Sequence, residues 1–149
     1  MNAINLLKED HRKVEELFAR FLQVQDSEEE REQLFEEIQT ELCVHAEAEE
    51  KVFYPLLTAE IPDQVDEALE EHLEIKEMLA ELLDMDFDDD EFDAKFTAMI
   101  KAVQNHVEEE ERTGGILDIA RQKVSEEDLT NLANAIQILK RDIHDELMA

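Results

Sequence analysis

Four stretches of this chain repeat apolar residues every three or four positions for several turns, and each carries one histidine on its apolar stripe. A period near 3.6 is that of a helix with one buried face. The first stretch, helix A, is predicted from about Asn2 to Gln25, with Ile4, Leu7, His11, Val14, Phe18 and Phe21 on one face. Ser27 followed by Glu30 is a capping box that opens helix B. Helix B is predicted from Glu28 to Thr58, and its stripe reads Leu34, Ile38, Leu42, His45, Glu49, Val52 and Leu56. Pro55 is expected to bend its last turn, because proline removes a backbone donor and crowds the preceding turn. Helix C covers Asp63 to Asp84, with Val65, Leu69, His72, Ile75, Leu79 and Leu82 in line. After an acidic loop, Asp84 to Asp90, helix D runs from Glu91 to Thr113 with Phe92, Phe96, Met99, Val103, His106 and Glu110 on one face.

Gly114-Gly115 interrupts helix D, a short segment follows from Ile116 to Lys123, and Ser125 caps a helix E that carries Leu129, Leu132, Ile136, Leu139 and Ile143. Long helices joined by short loops favour antiparallel neighbours. The expected fold is therefore all-α: an antiparallel up-down four-helix bundle over residues 1–113, with an extension over 114–149 that holds the fifth helix, all in one domain. Two Gly, two Pro, no Trp and one Tyr agree with helices and argue against a β-sandwich or barrel.

The formal net charge is −28, and such a surface repels phosphates, which excludes nucleic acid and anionic membranes as expected partners. The single cysteine, Cys43, forms no internal disulfide and reads as a small core residue beside the stripe. With no signal-like leader and no long apolar run, the chain reads as cytoplasmic. His144, the fifth histidine, reads as surface.

A core stripe takes about three positions in seven, so four histidines fall on stripes together by chance only a few per cent of the time. His11, His45, His72 and His106 nevertheless do so. Counted from the turns that join their helices, all four fall within roughly two turns of one level, at about 1.5 Å of rise per residue. Glu49 and Glu110 each follow a stripe histidine by four residues, on the same face, where the pattern calls for an apolar side chain. A buried carboxylate is costly unless it is paired or bound to metal. Glu110 lies in a run from Glu108 to Glu111, so the choice between it and Glu111 stays open. Imidazole and carboxylate donors without thiolate suit iron, manganese or zinc, and two carboxylates that each bridge make a dinuclear site the natural use of the set.

At these residues the sequence resembles the hemerythrin-like, HHE cation-binding family, in its four-histidine, two-glutamate branch. The matching blocks are Glu9-Asp10-His11, then His45 through Glu49-Glu50 with Tyr54-Pro55, then Glu71-His72, then His106 through Glu110-Glu111. The resemblance implies a non-haem di-iron centre, oxo- or hydroxo-bridged, with Glu49 and Glu110 as bridges and two of the four histidines on each iron. Manganese or zinc is the lesser expectation. Lys76 stands where oxygen-carrying hemerythrins look to place a further histidine, and Thr113-Gly114-Gly115-Ile116 replaces their apolar-Pro segment.

The resemblance implies a protein that binds or reduces oxygen, nitric oxide or peroxide. Octahedral bookkeeping leaves roughly two positions for water or ligand. The alternative is a sensing or iron-storage module that acts through a protein partner, with the apolar face of helix E available for docking or homodimerisation. A metal-free structural bundle is the third reading. Tyr54 either approaches the histidine layer or packs the end of the bundle.

Overall fold

The computed structural model describes residues 1–148. Its elements are α1 (Ala3–Gln23), α2 (Glu28–Ala48), a π-helical turn (Glu49–Phe53), a 3-10 turn (Tyr54–Leu56), α3 (Pro62–Leu83), α4 (Phe92–Glu111), α5 (Ile116–Lys123) and α6 (Glu126–Met148). The fold is all-α, with no strand among the described residues. Local chemistry starts the helices. The side chains of Asn2, Ser27 and Ser125 accept hydrogen bonds from the amides of Asn5, Glu30 and Asp128 at 3.0, 3.2 and 3.1 Å. Pro62 opens α3, where its missing amide costs nothing.

Pairing across the bundle gives the direction of each helix. Asp10 and Lys13 of α1 meet His45 and Glu41 of α2, while Glu71 and Glu81 of α3 meet His106 and Lys95 of α4, so neighbours run antiparallel. The extension is packed onto this bundle. Asn2 donates to Glu126 at 3.2 Å, and Asp10 pairs with Lys140, so α6 runs in the same direction as α1. It buries Leu129, Ala133 and Ile136 against the chain's own core. The face expected to be free for docking or dimerisation is thus largely covered from within.

Two stretches depart from the predicted stripe. Helix B does not continue as one α-helix to Thr58: it widens into the π turn at Glu49 and tightens at Tyr54, where the Tyr54 amide bonds back to the Glu49 carbonyl. The extra residue in that turn rotates the segment after it, so Phe53, Tyr54 and Leu57 are buried and Leu56 is 50% exposed. In α3 the buried partner one turn before His72 is Ala68, and Leu69 is 37% exposed.

Two apolar clusters flank the histidine layer. On one side, Phe21 and Phe96 pack with centroids 4.5 Å apart and their rings tilted by 35°, among Phe18, Phe35 and Phe92. On the other, Leu7, Phe53 and Leu57 pack with Leu117 of α5 and Ile136 of α6. The Gly114-Gly115 break lets the chain turn between them: Gly114 has φ 81°, and a Cβ on Gly115 would lie 2.3 Å from the Glu109 carbonyl. No described helix is long and apolar enough to cross a membrane.

Candidate metal centre

His11 on α1, His45 on α2, His72 on α3 and His106 on α4 turn their Nε2 atoms toward one another between the two apolar clusters. Glu49 and Glu110 enter the same space. They are 0% and 2% exposed. Glu49 Oε1 lies 3.1 Å from both His45 Nε2 and His72 Nε2. Glu110 Oε1 lies 3.3 Å from His11 Nε2, and its Oε2 lies 3.3 Å from His106 Nε2. The donors fall into two sets of four, His11, His45, Glu49, Glu110 and Glu49, His72, His106, Glu110, within each of which the donor atoms lie inside 4.8 Å. Both carboxylates belong to both sets. Glu111 does not: its carboxylate turns outward to Arg12 and to the far side of the His11 ring.

Each imidazole is held from behind. Nδ1 of His11 donates to Glu111 at 2.6 Å, that of His45 to Asp10 at 3.0 Å, that of His72 to Glu50 at 2.8 Å, and that of His106 to Glu71 at 2.7 Å. A carboxylate only accepts, so it fixes the proton on Nδ1 and leaves Nε2 with its lone pair toward the axis. The four supports form a closed ring. Asp10 precedes His11 on α1 but serves α2; Glu50 follows Glu49 and serves α3; Glu71 precedes His72 and serves α4; Glu111 follows Glu110 and serves α1. One residue along a helix is about 100° round it, which carries the side chain from the axis-facing stripe to the flank of the next helix.

Sequence reasoning singled out the six inner residues and did not assign roles to these four. Their signal was present as the acidic neighbour of four of the six inner residues: Asp10-His11, Glu49-Glu50, Glu71-His72 and Glu110-Glu111. In an acidic chain such neighbours are common, so only the fold separates support from surface. Lys76 pairs with Glu50 at 3.5 Å. Cys43 is half-buried, with its thiol pKa raised by burial, as befits a packing residue.

Tyr54 settles at the centre rather than at the bundle end. Its hydroxyl donates to Glu110 Oε2 and lies 3.4 Å from His72 Nε2, and its ring stacks on that of His72 at 5.6 Å. The π turn is what brings it there. Five residues of α-helix would rotate Tyr54 about 140° from Glu49, whereas an i to i+5 turn realigns them. Burial and the carboxylates of Glu49 and Glu110 hold the phenol pKa well above its usual value, so the phenol keeps its proton.

Five of the inner atoms lack partners. His11 Nε2, His45 Nε2, both oxygens of Glu49 and Glu110 Oε1 are buried without a hydrogen bond, although several stand about 3 Å from a neighbour (Glu49 Oε1 and His45 Nε2 are 3.1 Å apart). Without metal, protons fill the role. Burial alone would lower the His45 pKa, but Glu49 and Asp10 raise it to about 10. For His106, burial is likewise outweighed by Glu110, Glu49 and Glu71, which raise it to about 12. Glu49, despite its burial, is held well below the usual carboxylate range by the imidazoles around it. Two imidazole nitrogens and three carboxylate oxygens without partners, within a cluster of four imidazoles and two shared carboxylates, make a candidate His/Glu metal site.

The sequence profile of the Hemerythrin HHE cation binding domain matches residues 2–113. The chain belongs to this family. A crystallised Hemerythrin HHE cation binding domain-containing protein from Mycobacterium kansasii has the same fold: the TM-score is 0.87 at 23% identity, over 99% of this chain and 90% of that one. A DNA nickase from Nostoc sp. is 29% identical over 148 residues, and the chain spans 41% of that protein's length. The HHE profile stops at the end of α4, so α5 and α6 lie beyond the part that defines the family.

Proposed function

We propose that this HHE domain holds two metal ions, iron foremost, and binds or reduces a small ligand at them. His11 and His45 would hold one ion, His72 and His106 the other, with Glu49 and Glu110 bridging. What carries the reading is the pair of four-donor sets that share both buried glutamates, three of whose four oxygens have no hydrogen-bond partner. Iron held by these residues would supply electrons and Lewis acidity to a small ligand bound beside them.

The protein's own groups support a small, neutral ligand. A cavity of about 50 Å³ lies against all four histidines and is otherwise walled mainly by apolar side chains, Val14, Leu42, Ile75, Leu79 and Val103 among them, with the stem of Lys76 at its side. Such walls favour oxygen or nitric oxide and offer little to a charged substrate. Tyr54 keeps a proton on Oη beside Glu110, where it orients that carboxylate.

A sensing module is the second reading. In the Nostoc relative the matching segment is part of a much longer chain, as a module would be. Its nicking activity is not carried over to this chain, because a net charge of −28 opposes contact with DNA phosphates. Ferrous reconstitution followed by metal quantitation and visible spectroscopy tests the centre; about two irons per chain and a diferric spectrum are expected, and the absence of stoichiometric metal overturns both readings. Turnover with peroxide or nitric oxide then favours the first, and its absence the second.

A further inference from the structure

Cations lie behind three of the four supporting carboxylates. Arg12 pairs with Glu111 at 2.9 Å and Lys76 with Glu50 at 3.5 Å, both from helices that also carry an inner histidine. The third is different. Lys140 comes from α6, beyond the family-defining segment, and its Nζ bonds Asp10 Oδ2, the same oxygen that accepts from His45 Nδ1. Its side chain is 18% exposed, which is well covered for a lysine. Glu71, behind His106, has no cation among the described residues and sits with Glu67 and Glu109 instead.

We propose that Lys140 is a positioning residue of the metal centre, through which α6 sets the charge that Asp10 presents to His45. The inference rests on the two-metal reading above. A cation on the carboxylate draws its negative charge away from the Nδ1 proton, so the imidazole donates less strongly through Nε2. Lys140 thereby makes the His11/His45 position the less electron-rich of the two, and the His72/His106 position, backed by the unneutralised Glu71, the more so. The same contact holds the Asp10 carboxylate in one orientation.

Electrostatics and mere docking predict opposite signs for Lys140→Met. Loss of a docking contact loosens α6 and weakens metal binding. Loss of the positive charge makes the pocket more negative; a dication gains twice what a competing proton gains, so one of the two binding steps tightens by about tenfold at separations near 10 Å. The experiment titrates the full chain with Zn²⁺, which is redox-inert, by calorimetry, and measures the two one-electron midpoint potentials of the iron-loaded protein. For Lys140→Met we expect unchanged helix content, both Zn²⁺ steps tightened but one more than the other, and one of the two potentials lowered further than the other; Lys140→Arg keeps both near their wild-type values. Ile136→Ala, which loosens α6 without touching charge, should lower the melting temperature and leave the potentials in place. Should Lys140→Met not fold, Lys140→Gln keeps a polar contact and removes the charge. Weakened Zn²⁺ binding, or two unmoved steps in a folded variant, overturns the inference and leaves Lys140 a docking contact. A wild-type chain that takes up no Zn²⁺ and no iron overturns the two-metal reading itself, and this inference with it.

Discussion

The six groups that face one another across the bundle axis and the four carboxylates behind them are built on opposite terms. The outer carboxylates are satisfied as they stand: Asp10, Glu50, Glu71 and Glu111 each accept from an imidazole, and three of them also meet a cation. The inner groups are not, since five of their buried atoms have no hydrogen bond. A satisfied polar ring stabilises its own geometry, whereas unsatisfied buried atoms cost about 1–3 kcal/mol each unless something binds them. The outer ring therefore holds the inner groups close together, and protons on His45 and His106 offset part of their unmet demand in the metal-free protein.

The contrast is sharpest at adjacent residues. Glu49→Ala should remove a group common to both donor sets and leave less than one iron per chain after ferrous reconstitution, as read by elemental analysis. By helical facing alone Glu50, about 100° round the helix from Glu49, would be dispensable. The structure gives Glu50 the Nδ1 proton of His72, so its loss should weaken one of the two ions by about 10- to 100-fold in a Zn²⁺ titration while leaving the other near its wild-type affinity. Equal losses in the two variants would erase the distinction between inner and outer groups.

Protons give a third comparison. In the metal-free protein His45 and His106 titrate near 10 and 12 and are protonated at neutral pH, so cation binding should release roughly two protons, measurable by calorimetry in buffers of different ionisation enthalpy. Both pKa values are raised above the unfolded value of about 6.5, so the stabilisation they bring is fully present below that pH and is lost as pH rises through about 10 and then 12. The lowered Glu49 contributes above its ordinary value of 4.5 and loses that contribution as pH falls. Urea midpoints of the metal-free protein should accordingly be highest between about pH 4.5 and 6.5 and decline toward alkaline pH. A midpoint that climbs steadily from pH 7 to 10 would contradict the protonated state of the inner imidazoles.

The smallest effect concerns Lys76, which belongs to the outer set by its pairing with Glu50 and touches the inner cavity with its stem. The diferrous protein should convert with oxygen in one direction rather than cycle, and Lys76→His should slow that conversion a few-fold if the new imidazole occupies an open position. Stopped-flow spectra of the two proteins through evacuation cycles make the check; a long-lived oxygenated band in the wild type that disappears and returns would refute the expectation.

Much of this was legible in the sequence, for reasons that differ by residue. The stripes of α1 and α4 were read almost without error because helical period alone decides which of their residues face inward. Leu56 and Leu69 were misread as buried. The π turn after Ala48 changes the period, and at α3 the smaller Ala68 takes the inward place. No count of apolar spacing reveals a turn of i to i+5, so Tyr54 remained undecided until the fold placed it. The four supports were invisible for another reason: with 42 acidic residues in 149, a carboxylate beside a buried residue is too common to be a signal.

The sequence by itself determined that the chain is helical, that four histidines and Glu49 stand on buried faces, and that their levels match, because periodicity and rise per residue are local properties. The tertiary structure alone decided the partner of each Nδ1, the choice of Glu110 over Glu111 for the axis, the turn that swings Tyr54 inward, and the reach of Lys140 to Asp10 across 130 positions of sequence. Those contacts depend on which helix flanks which. That is fixed by packing between segments distant in the chain, about which no local pattern carries information.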